Sequence, residues 1–288
     1  MDTEYYKIVS DENEVKWFYD HMLRDLKPGE AWMMCLGARD KKLSEEERKI
    51  YKLGRSEMMD EKIIRYHHTG TGWKWFIEAL YKFETNKRGV TTEDGLPYPD
   101  KCLVIYFTVN PCSSLACAHD TVDYANKLDR EMVDSIIKHS ADGIKDHYFK
   151  YSKVFDHLKS VHARNPSERI LVDFDVDADV PDTEKFFKEF SEMTSKRFPK
   201  GTYAFVRTGG GIHVVVKKFA LKSNPADYVK EVEEFLKSKG ISASEVKYNS
   251  STTVDEFGQK QQTSAMIPMP GTYQYQKSVT IVNKWDFD

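Results

Sequence analysis

The chain has 288 residues, 40% of them hydrophobic and 31% charged, with a formal net charge of −3. That balance suits a folded protein with a sizeable core and excludes a disordered or strongly basic chain, although a local basic groove is compatible with it. No run is long and apolar enough to span a bilayer, nothing reads as a signal peptide, and four cysteines in this length make no disulfide framework, so a cytoplasmic protein is expected.

Residues 1–100 read as a mixed α/β module. Val15, Phe18, Met22 and Leu26 recur at helical spacing, which predicts an amphipathic helix over Glu14 to Leu26. A short apolar strand follows at Ala31 to Leu36. Ser44 and Glu47 form a capping-box pair that opens a charged helix expected to run towards Tyr66. Thr69-Gly-Thr-Gly72 breaks the chain before a Trp- and Phe-rich helix; it lacks the Lys-Ser/Thr of a P-loop and reads as a turn. Val90 to Lys101 is a surface loop.

Residues 101–169 read as a strand and a helical connection. Cys102 to Val109 is strongly apolar and ends at Asn110-Pro111. Cys112, Cys117 and His119 lie close together, with Cys102, His139 and His147 as further candidate ligands. The spacing is loose and no Cys-x-x-Cys occurs, so buried or free thiols are favoured over zinc. Residues 120–160 are helical and charged in pattern.

The chemistry concentrates in residues 170–288. Ile170 to Asp177 alternates without a break, so as a strand it sets Leu171, Asp173 and Asp175 on one face and Val172, Phe174 and Val176 on the other. Two carboxylates one period apart repel each other unless a cation neutralises them, and hard divalent cations favour such oxygen ligands. By the same reasoning, removing either aspartate should relieve repulsion in the metal-free protein. A helix over Thr183 to Phe198 follows, then a strand at Thr202 to Arg207, a Gly209-Gly-Gly211 turn and a strand at Ile212 to Val216. Asn224-Pro225 opens a further helix, Gly240 stops it, and Thr263 to Met269 supplies a last strand. The order β-α-β-β-α-β predicts a ferredoxin-like or RNA-recognition-like module. In it the acidic strand is flanked by the third and fourth strands, which brings His213 to Asp173 and Asp175. Arg207, Lys217 and Lys218 sit at the ends of the same hairpin.

Asp173-Phe-Asp175, then Thr208-Gly-Gly-Gly-Ile-His213, then Ile267-Pro-Met-Pro-Gly-Thr272 with Lys277, resemble the three motifs of the archaeo-eukaryotic primase superfamily, the primase-polymerases of phages and plasmids above all. The Asn110-Pro111 strand end is similar to that group, and Gly37 to Lys42 faintly resembles the N-terminal module of its phage members. The resemblance implies an α+β fold in which Asp173, Asp175 and a third acid hold two Mg²⁺ or Mn²⁺ ions. It implies that His213, Thr208, Arg207, Gly210, Gly211 and Lys277 meet the incoming nucleotide. Asp255 has the best spacing for the third acid, with Glu256 and Glu245 as alternatives. Cys112 stands where the family often carries Arg, which leaves that phosphate contact in doubt.

The expected activity is template-dependent nucleotidyl transfer from dNTPs or NTPs to a 3′-hydroxyl, with a DNA template, no membrane partner and a helicase domain or protein as a further partner. A prokaryotic or phage-infected cell is the expected setting. A metal-dependent nuclease or nucleotide cyclase on the same kind of sheet, and a non-catalytic nucleic-acid-binding module, stay open.

Overall fold

The computed structural model describes residues 4–52, 56–64, 69–87, 90–92, 94–143, 145, 165–249, 252–254, 260–262 and 265–287, with the backbone alone for 56–64, 69–71, 252–254 and 260–262. It is an α+β structure built on antiparallel sheets.

In chain order, α1 (Glu12–His21) is capped by the Asp11 carboxylate, which accepts from the Asn13 N–H. It stops short of Leu26, which is buried beyond the helix end. β1 (Glu30–Arg39) is buried over nearly its whole length. Ser44 and Glu47 make both bonds of the capping box of α2 (Glu45–Tyr51), but this helix ends at Lys52, in the left-handed region with φ 48°. The following β2 (Ser56–Ile64) then pairs with β1 from Trp32↔Ile64 to Arg39↔Ser56. The helix expected towards Tyr66 is therefore half strand, because pairing with a buried neighbour outweighs local helix propensity.

Next come α3 (Thr69–Tyr81), β3 (Leu103–Thr108), β4 (Cys112–Ser113) and α4 (Ser114–Ile137), capped by the Ser113 hydroxyl. β5 (Leu171–Ala178) is the acidic strand, and α5 (Glu184–Ser195), capped by Thr183, follows it. The hairpin of β6 (Tyr203–Arg207) and β7 (Ile212–Lys217) leads to α6 (Pro225–Ser238), which has Asn224 as its cap and Pro225 in its first turn. β8 (Ala243–Tyr248), β9 (Thr252–Val254), β10 (Lys260–Gln262), β11 (Met266–Pro268), β12 (Tyr273–Gln274), β13 (Lys277–Ser278) and β14 (Thr280–Ile281) complete the chain.

The first sheet runs β13-β12-β3-β1-β2, with β11 on β3 and β4 on β1; the second runs β14-β6-β7-β5-β8. One expectation is overturned here. The strand beside β5, opposite β7, is β8, whereas β11 from the Thr263 to Met269 stretch pairs with β3 in the other sheet.

Period-two alternation sorts the second sheet into two faces. Val172, Phe174, Val176, Ile212, Val214 and Val216 pack with Phe186, Phe190, Tyr228 and Val232 of the two helices. Leu171, Ala204, Val206 and Val215 point the other way, into one core with Phe18, Met34, Leu36, Phe107 and Ile267. The two sheets are joined at Asn110, which is 3% exposed. Its Oδ1 accepts from the N–H groups of Ile170 and Leu171 at 2.8 and 2.9 Å, and its Nδ2 donates to the Leu171 carbonyl at 2.9 Å. Close by, the Ser113 N–H donates to the Asn165 carbonyl (2.9 Å) and the Ser167 N–H to the Pro111 carbonyl (2.8 Å). No described helix is long and apolar enough to cross a membrane.

Candidate nucleotide site between the two sheets

β5 carries Asp173, Asp175 and Asp177 on the face turned towards the first sheet. Register places Val215 opposite Asp173 and His213 opposite Asp175 on β7, and Lys247 opposite Asp175 on β8. Asp173 is fully buried and His213 nearly so. A carboxylate can only accept, so His213 Nδ1 donates, lying 3.2 Å from Asp173 Oδ1 and 3.1 Å from Oδ2. Asn249 anchors the same acid twice: its N–H donates to the Asp173 carbonyl at 2.9 Å, and its Nδ2 to Oδ2 at 2.6 Å. Burial disfavours the imidazolium, but the charge of Asp173, its hydrogen bond and then Asp175 outweigh this, so the His213 pKa is raised.

Asp175 is held differently. Its Oδ1 is 3.7 Å from His213 Nε2 and its Oδ2 is 3.6 Å from Lys247 Nζ, charge contacts longer than hydrogen bonds. The Lys247 ammonium also reaches Glu245 at 2.7 Å, so it lies between two carboxylates. The strand beside β5 thus offers Lys247 and Asn249, neither of which reading the sequence had singled out. Their alternation with Glu245 on β8 is the signal that places them on the acidic face.

The glycine turn closes one end of the site. Gly211 has φ +155°, and a Cβ there would meet the Val176 carbonyl oxygen at 1.9 Å, so only glycine lets β7 approach β5 this closely. Thr208 Oγ1 accepts from the N–H groups of Gly210 and Gly211 (3.2 and 3.1 Å), and Gln274 Oε1 accepts from Gly209 N–H (2.7 Å). All three amides are therefore engaged within the fold. Lys41 pairs with Asp177 at 2.7 Å and would sit 3.2 Å from a Cβ on Gly210. Arg39 donates to the Tyr106 hydroxyl at 2.6 Å, and the Tyr275 hydroxyl lies beside the same guanidinium. The Gly37 to Lys42 stretch thus brings two cations to the acidic strand from the opposite sheet.

Other expected residues lie apart from this cluster. Arg207 ends β6 in an ion pair with Asp182. Lys277 is exposed on β13, across from Gln274. Glu245 is on the acidic face but pairs in register with Asp177, one period beyond Asp175. Asp255 and Glu256 lie outside the described residues.

Asp173, with both oxygens accepting hydrogen bonds, and Asp175, whose oxygens have only longer contacts among the described residues, are a hard-oxygen donor set that fits a divalent ion on the Asp175 side. Among the described residues no group of three or more His, Cys, Asp or Glu is placed to hold a metal. For zinc, Cys112 and Cys117 are buried together beside Ala31, while His119 is exposed on α4. Cys102 is buried in the first sheet's core, where burial above all pushes its thiol up to about 12; His147 lies outside the described residues. Buried Cys112 also has no exposed position from which to meet a phosphate. Comparison of the chain with protein-family models, with curated proteins and with solved structures finds no match.

Proposed function

We propose that this chain is a template-dependent nucleotidyltransferase, the catalytic core of a primase-polymerase that adds dNTPs or NTPs to a 3′-hydroxyl. The observation that carries the reading is the pair of aspartates on one strand face, with His213 between them and Lys41 paired to Asp177 on the same face. The strand order β6-β7-β5-β8 with α5 and α6 on one face supports an RNA-recognition-like module with the acids on its central strand. Asp175 and Asp173 would hold Mg²⁺ or Mn²⁺, which supplies charge neutralisation at the phosphates and activation of the attacking hydroxyl. His213 turns its Nε2 side towards Asp175 while Nδ1–H is fixed on Asp173, so Nε2 can offer a donor to a triphosphate oxygen. Lys41 is placed to contact the same chain of phosphates beside the glycine turn.

A second reading is favoured by one observation. Lys247 and Asn249 face the acids from β8, where a third carboxylate would complete a two-metal site, and this suits a nucleotide-binding module without transfer activity. Primer extension with a labelled template, Mn²⁺ and nucleotides separates the two. Under the first reading Asp175→Asn lowers kcat by roughly a hundredfold or more, the usual size of lost electrostatic stabilisation. A wild-type protein that binds nucleotide yet extends nothing selects the second.

A further inference from the structure

Where β5 begins and β7 ends, a groove of about 670 Å³ is lined by Arg24, Arg169, Leu171, Lys217, Lys218 and Phe219. Its charge is one-sided: Glu168 is the carboxylate of the lining, and it is engaged by Lys27 at 2.7 Å and Arg24 at 3.5 Å. Lys217 and Lys218 make no ion pair among the described residues. Phe219 sits next to them with 72% of its surface exposed, although a phenyl ring of this size is normally buried. The groove shares Leu171 with the acidic strand. Leu171 pairs with Lys217 and shares a strand face with Asp173, one period or about 7 Å further along β5.

Lys218 is exposed and Lys217 half-buried, its Nζ 5.8 Å from the centre of the Phe287 ring. Cations beside an exposed aromatic ring are the combination that binds unpaired nucleotides, because every base offers a face to stack and every phosphate a charge. A duplex keeps its bases inside the stack and has no use for the ring. We propose that this groove holds a single strand of nucleic acid, with Phe219 stacked on a base and Lys217 and Lys218 against its phosphates, and that it feeds the strand towards Asp173. The choice of occupant rests on the nucleotidyltransferase reading of the aspartates; the test does not.

Binding of a fluorescein-labelled oligothymidylate to the full chain, followed by anisotropy in EDTA across a salt series, needs no catalysis. Phe219→Ala should weaken binding roughly tenfold, the loss of one base–aromatic stack, while Phe219→Trp retains it. Lys217→Gln and Lys218→Gln should each reduce the slope of log affinity against log salt by ~0.7. Lys218 is exposed, so its variant tests charge without disturbing packing. Unchanged affinity in Phe219→Ala with unchanged slopes in both lysine variants overturns the proposal. So does displacement of the oligonucleotide by duplex DNA or polyglutamate as readily as by the unlabelled single strand. Binding through Phe219 by a protein that extends no primer keeps the groove and removes the polymerase. Primer extension with all three variants binding normally keeps the polymerase and removes the groove.

Discussion

Asp173 and Asp175 are chemically identical and one period apart, yet their surroundings give them different work. Asp173 is buried and saturated by His213 and Asn249; Asp175 keeps part of its surface and faces two cations at more than hydrogen-bond distance. The sequence-based expectation that losing either acid relieves repulsion therefore fails for Asp173. Asp173→Ala leaves the buried His213 Nδ1–H and the half-buried Asn249 amide without their acceptor, and should cost about 2–3 kcal/mol in thermal or urea unfolding in EDTA. Asp175→Ala should unfold at or above the wild-type midpoint. Equal destabilisation of the two variants would contradict this division. Lys247 provides a related test, because its ammonium occupies space that a divalent ion on Asp175 would contest. Removing that charge in Lys247→Met should tighten Mn²⁺ binding by roughly tenfold, read by electron paramagnetic resonance of free Mn²⁺. Weaker Mn²⁺ binding in the variant would show instead that Lys247 supports the site.

At the scale of elements, the strands with a strong apolar period were legible and the edge strands were not. β5 and β7 each have three apolar residues on one face, so their pairing and the position of His213 follow from alternation alone. β8 escaped notice because an edge strand needs little hydrophobicity: only Ala243, Val246 and Tyr248 pack inward, between Ser244, Glu245 and Lys247. The more apolar Met266 to Pro268 drew the assignment, although its partner is β3. Asn249 and Lys247 were lost with β8. The start of β1 holds an equally hidden link. Glu30 is buried and accepts from Arg24 (2.7 and 2.8 Å), the Lys27 N–H (2.7 Å) and Ser167 (2.6 Å). Burial alone would raise its carboxyl, but the bonds from Arg24 and Ser167, joined by Lys27, outweigh it and hold the pKa at about 2 against an ordinary 4.5. A lowered carboxyl pKa stabilises the fold above the ordinary value, and that stabilisation is lost as pH falls towards the lowered one. Glu30→Gln should thus cost on the order of 2 kcal/mol at neutral pH, and the gap to wild type should shrink in urea titrations between pH 4.5 and 2. A gap of constant size across that window would mean that the charge of Glu30 is not what holds these segments.

On the scale of the whole molecule, helices cover one side of the second sheet, and the first sheet's core covers much of the other. The acids lie where that apolar contact gives way to polar groups, which explains how a strand can be both central and charged. Asn110 fixes this border by tying the end of β3 to the first residues of β5 across 61 positions of sequence. Motif reading noticed Asn110-Pro111 but not its role, since a side chain capping another strand's backbone leaves no periodic trace.

The same junction holds residues 111–113 directly against residues 165–167. Ser113 and Pro111 meet Asn165 and Ser167 directly, and of α4 only Cys117 and Leu128 are buried. Closing a loop between ends already in contact depends only weakly on its length. A chain with residues 114–164 exchanged for a short Gly-Ser linker should remain folded, judged by an amide spectrum that keeps the β5–β7 resonances. A protein engineer could use that seam to seat a reporter or a tethering domain.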